Sequence, residues 1–108
     1  MDELTVLMPG EISDRLKKMS EYSTKGYNIS IIRTADEIEC LKHRKILFAV
    51  ELGDTGINIE LFKMLEKIRV SGNGFMDNSH GSILINSTNE LFSRDMARKI
   101  ILYTNLAG

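Results

Sequence analysis

The stretch 50–56, Val-Glu-Leu-Gly-Asp-Thr-Gly, sets two carboxylates, a hydroxyl and two glycines between an apolar run, KILFAV, and an amphipathic one, INIELFKMLEKI. Gly53 and Gly56 permit backbone conformations closed to other residues and let a flat ligand come close to the main chain. Asp54 or Thr55 can cap the following helix by accepting a backbone N–H. Two readings of this loop therefore stand, a ligand-approach loop and a tight turn with a capped helix. Two other short loops belong with it. Pro9-Gly10-Glu11, with Ser13 just beyond, precedes a helix N-terminus, the usual place for a phosphate. Glu11 puts a carboxylate at the positive end of that helix, where it complements the dipole and repels an anion. Neither a nucleotide P-loop nor a dinucleotide glycine fingerprint is present. Ser87-Thr88-Asn89-Glu90 places Ser and Glu at capping-box spacing, which leaves Thr88 and Asn89 to face a ligand.

Other reactive side chains are sparse. His43 lies in a charged turn, KHRK, and reads as solvated. His80, in DNSHGS, falls at the amino end of a strand, away from the three loops. Neither has Cys, Asp or Glu partners at metal-ligand spacing, and no nucleophile elbow accompanies them. Cys40 reads as a small core residue. As the only cysteine it permits no internal disulfide and no cysteine cluster. Asp36, Glu37 and Glu39 read as a solvated face, as do Arg94, Asp95, Arg98 and Lys99.

The elements that must position these residues alternate in kind. LTVLM (4–8), YNISIIRT (27–34), KILFAVEL (45–52) and SILINS (82–87) read as strands. The third is apolar on both parities, as a strand buried on both faces requires. Between them, Ile12, Leu16, Met19 and Tyr22 recur at helical spacing, with Gly26 at the stop. ADEIECLK (35–42) reads as a short helix, and Ile57, Leu61, Met64, Leu65 and Ile68 form one stripe of another. SGNGFMDNSHG (71–81) is a polar, glycine-rich loop, and the chain closes with a helix from 89 to 108. Strands separated by helix-length segments need crossovers, which gives a parallel sheet with helices on its faces. The prediction is one domain over 1–108, a three-layer α/β/α sandwich whose four parallel strands run in the order 2-1-3-4. In such a sheet the ligand crevice lies beyond the carboxyl ends of the strands, and there the three loops meet.

Fourteen basic and fifteen acidic residues are well mixed and leave a net charge of −1, so no basic stripe marks a nucleic-acid surface. No apolar run is long enough to cross a bilayer, and the N-terminus lacks the pattern of a signal peptide. A soluble cytoplasmic domain is expected. Six Met, no Trp and many Ile, Lys and Asn give a bacterial, AT-rich cast.

ILFAVELGDTGINIELFKMLEKI followed by GSILINSTNELFSRDMARKIILYTNLAG resembles the flavodoxin-like NAD(P)H-dependent flavin reductases and oxidoreductases, especially those of clostridia. The likeness covers about the last 60 residues. It implies a flavodoxin-like fold with FMN held by the loops after strands one, three and four. Position by position, Pro9, Gly10 and Ser13 would form the phosphate loop, and Gly53, Asp54, Thr55, Gly56, Thr88 and Asn89 would contact the ring. Asp54 and Glu51 would then disfavour an anionic reduced flavin. The sequence departs from the family in two places. Its first loop lacks the Ser/Thr-rich phosphate pattern, and a fifth strand and last helix do not follow. The latter suggests a fragment or a trimmed member whose exposed fourth strand, 82–87, is covered by a second copy or another partner.

Two functions follow as expectations. The first is an FMN-binding oxidoreductase using a nicotinamide nucleotide, in which the flavin carries the chemistry and no side chain is catalytic. The second is a non-enzymatic α/β interaction or regulatory domain that has lost flavin binding. A phosphoacceptor domain fits less well, since the first loop offers Pro9-Gly10 and the third strand ends in Glu51 rather than aspartate.

Overall fold

The computed structural model describes residues 2–38, 41, 44–53, 58–71, 79–87 and 90–107. Four strands, β1 (Asp2–Leu7), β2 (Tyr27–Ile32), β3 (Lys45–Gly53) and β4 (His80–Ser87), form one sheet. Every pairing is parallel and the order is β2-β1-β3-β4, as the alternation of strands and helices predicts. Three helices connect or follow the strands: α1 (Asp14–Ser23), α2 (Ile59–Ser71) and α3 (Glu90–Ala107).

The two parities of β3 divide the interior. Ile46, Phe48, Val50 and Leu52 face α2 and α3, and build the larger core with Leu7, Leu61, Met64, Leu65, Ile68, Met96 and Ile100. Leu47 and Ala49 point the other way and join Val6 and Met8 in a smaller cluster edged by Leu4, Ile12 and Leu84. Helix α1 covers this second face, packing against β3 and β4. A sheet with helices on both faces gives the three layers expected, and the buried runs of β3 are what the two layers of helix require.

Local chemistry sets most boundaries. β1 gives way to Pro9, which has no N–H for a ladder, and then to Gly10 at φ +74. Ser13 caps α1, its hydroxyl accepting the Leu16 N–H at 3.2 Å. Gly26, at φ +86, supplies the left-handed residue that turns the chain into β2.

Three expectations change. The short helix expected over 35–42 is one 3-10 turn, Ala35–Glu37, after which Ile38 is extended (φ −73, ψ 124). Glu37 folds back onto the start of the turn, its carboxylate accepting from the Arg33 and Thr34 N–H groups and the Thr34 hydroxyl. Ile38 and Leu41 then drop into the larger core. Tyr22, placed by its spacing on the buried side of α1, is 75% exposed, and Ser20 is buried in its stead. Of the expected glycine-rich loop, Ser71 belongs to α2 and His80 and Gly81 to β4, and residues 72–78 lie outside the described residues. Cys40 and His43 lie outside the described residues.

Candidate functional site

Where β1 and β3 end, the described residues form two small polar centres. The first is Glu51. Along β3 it shares the α1 face with Leu47 and Ala49, and across the ladder it pairs with Asn86. The register with β4 shifts between Glu51 and Gly53, and Leu52 stays in the larger core with Ile46, Phe48 and Val50. On the face that strand alternation gives it, the Glu51 carboxylate meets the start of α1. The Ser13 N–H donates to Glu51 Oε1 at 3.0 Å. Asn86 Nδ2 donates to Oε1 at 3.2 Å and to Oε2 at 3.0 Å. The same amide reaches Ser13 Oγ at 3.2 Å. One carboxylate therefore ties β3, β4 and the N-terminus of α1.

The second centre is Asn58, only 7% exposed. Its Nδ2 donates to the Pro9 carbonyl at 3.1 Å and to the Glu51 carbonyl at 2.9 Å, while Oδ1 accepts the Leu61 N–H at 3.0 Å. Both amide hydrogens and the carbonyl are thus engaged. Asn58 caps α2, and so the helix begins later than an Asp54 or Thr55 cap would have it. It also locks the first loop to the end of β3. Gly10 is part of this lock, for a Cβ on it would stand 3.2 Å from Asn58 Oδ1, and its positive φ already disfavours a side chain. From the end of β2 the Arg33 guanidinium donates to the Gly10 carbonyl.

The expected site residues distribute as follows. Pro9 is buried, and Gly10 and Ser13 lie beside it in the first loop. Gly53 closes β3 opposite Ser87. Asp54, Thr55, Gly56, Thr88 and Asn89 lie outside the described residues. Glu11, expected to complement the α1 dipole, is exposed, and Glu51 holds the Ser13 N–H. Asn58 and Asn86 are not among the residues that the motifs of the sequence single out. Asn58 is the polar residue directly before the first turn of the INIELF run, the better place for a cap than Asp54, four positions earlier. Asn86 was visible as a lone amide in an apolar strand, sharing a face with Leu84 at the strand's carboxyl end.

An FMN phosphate at the first loop would need the α1 amide that Glu51 already holds, and would stand against a carboxylate. Ser13 Oγ is also committed, to the Leu16 N–H and to Asn86. The described residues do not fit that phosphate. They also hold no group of three or more His, Cys, Asp or Glu placed to bind a metal. None of the described helices is long and apolar enough to cross a membrane.

No family model matches the chain, and neither a curated protein nor a solved structure does. Fold and geometry therefore carry the functional argument.

Proposed function

We propose that this chain is a non-enzymatic α/β interaction domain of the cytoplasm, built on a flavodoxin-like sheet whose phosphate loop is filled from within. The observation that carries this reading is the bond from the Ser13 N–H to Glu51. A helix N-terminus attracts an anion because its first N–H groups lack partners. A carboxylate delivered by β3 takes the Ser13 N–H and the Ser13 hydroxyl takes the Leu16 N–H, two of those first donors, with no ligand at all. The site then serves cohesion, and the function moves to the surface.

A second feature supports the same reading. Ile29 and Ile31 of β2 lie on the α1 face, paired with Leu4 and Val6, yet are 46% and 48% exposed. Helix α1 packs over β3 and β4 instead. Apolar side chains left half-covered beside a sheet edge suit contact with another protein more than they suit catalysis.

The test is the purified chain mixed with FMN and passed through gel filtration, read at visible wavelengths. The expected result is a colourless protein peak with the flavin eluting late. A yellow protein peak would overturn the reading in favour of a flavin-dependent oxidoreductase, and NADH and NADPH oxidation would then be assayed.

A further inference from the structure

Helix α2 has two distinct sides. Leu61, Met64, Leu65 and Ile68 are fully buried against the sheet. On the opposite side Ile59 and Val70 are 67% and 70% exposed. Positions 59, 63, 66 and 70 advance by four, three and four, the spacing of a narrow line that faces a partner helix. This line crosses an open, nearly flat patch of the helix surface made by Ile59, Phe62, Lys63, Glu66, Lys67 and Val70. Neighbouring contacts fix the two flanks. Phe62, with Arg69 above it, lies toward α3, where Lys99 Nζ stands 5.4 Å from the Phe62 ring centre. Glu60 and Lys67 lie on the other flank, where Lys67 Nζ donates to the Ala35 carbonyl at 2.8 Å.

When two copies of one helix pack about a two-fold axis, residue i of one meets residue j of the other, and j meets i. An antiparallel pairing of α2 sets Ile59 against Val70 and Lys63 against Glu66 along the seam. On the α3 flank it sets Phe62 against Arg69, a ring against a guanidinium. On the other flank it sets Glu60 against Lys67. Every opposition is apolar with apolar, cation with anion, or cation with ring. A parallel pairing instead sets Lys63 against Lys63 and Glu66 against Glu66, which repel. We infer that two copies of this chain associate through the outer face of α2, packed antiparallel about a two-fold axis.

Within one copy the same charges already form local pairs, Lys63 with Glu60 at 3.6 Å and Arg69 with Glu66. Exposed pairs of this kind contribute little, so exchanging them for contacts across the seam opposes association weakly. The seam is short, well below the area of a standard interface. Association is therefore weak, reversible and sensitive to salt.

Sedimentation equilibrium of the full chain over a range of concentrations tests this. The expected result is a mass that climbs from 12.2 kDa toward twice that value and falls back when salt is added. Lys63→Glu alone and Glu66→Lys alone should each weaken association by about tenfold or more, since each brings like charges together. An equimolar mixture of the two variants should restore it, because each then offers the other the opposite charge at both seam positions. Circular dichroism should show both variants folded, as both positions are exposed on the surface. A chain that stays monomeric at every concentration would overturn the inference. So would a dimer indifferent to both charge reversals, or a mixture no better associated than its components; either places the contact elsewhere, for instance at the open edge of β4.

Discussion

A half-buried carboxylate needs donors in place of the water it gives up, and Glu51 has them in the Ser13 N–H and the Asn86 amide. Removing it leaves both donors without that partner. Glu51→Ala is therefore expected to lower stability by about 1–3 kcal/mol in urea unfolding, more than an exposed glutamate such as Glu11 would. Asn58 offers a sharper contrast. Asp caps helices as well as Asn does in general, but here the second side-chain atom must donate to the Pro9 and Glu51 carbonyls. Asn58→Asp would turn that donor into an oxygen facing two oxygens. It should cost about 2 kcal/mol or more, and fail to rescue the loss seen in Asn58→Ala. Full stability in the Asp variant would show that the cap alone matters. These two asparagines were only partly legible in the sequence. A polar residue before a helical run signals a cap, but nothing local says that its amide will bridge loops 49 residues apart.

At the scale of the element, patterns with a strong period read correctly and short segments did not. The stripe Leu61, Met64, Leu65 and Ile68 is the buried side of α2, as its spacing predicts. The segment 35–42 has too few residues for a period to decide, and it ends as a single turn where Ile38 becomes extended and enters the larger core. Tyr22 fits the spacing of α1 but lies at the helix end, beyond what that face buries. α2 also carries a measurable electrostatic feature. The Arg69 guanidinium hydrogen-bonds the Glu66 carboxyl and holds it below the ordinary glutamate value. A lowered folded-state pKa means a stabilising contribution present at neutral pH and lost as pH falls through the folded-state value. An NMR titration of the Glu66 side chain should show a midpoint below that of an unpaired glutamate, and Arg69→Ala should return it to the ordinary value. An unchanged midpoint in that variant would remove the pair as the cause.

For the whole molecule, strand order was readable because crossovers of helix length force parallel pairing, and β3, apolar on both parities, belongs in the middle. The uneven cover of the sheet was not readable. β2 is as rich in branched apolar residues as the central strands, and only the position of α1 over β3 and β4 reveals that Ile29 and Ile31 are half exposed. The imbalance has an energetic consequence. Phe48, 2% exposed between the sheet and its two helices, should cost about 3–5 kcal/mol when cut to alanine. Ile31→Thr should cost less than about 1 kcal/mol in the monomer, because much of the side chain is already in water. Equal losses at the two positions would show that the β2 face is covered in solution.

The central claim is that the anion-binding end of α1 is occupied by the chain's own carboxylate. It is tested most directly by adding inorganic phosphate, then FMN, to the ¹⁵N-labelled chain and following the backbone amides of Ser13 and Leu16. Neither amide should show a saturable shift with either ligand, because Glu51 holds the one and the Ser13 hydroxyl the other. A saturable shift of the Ser13 amide on adding FMN would contradict it, and would mean that Glu51 yields its place to a ligand phosphate.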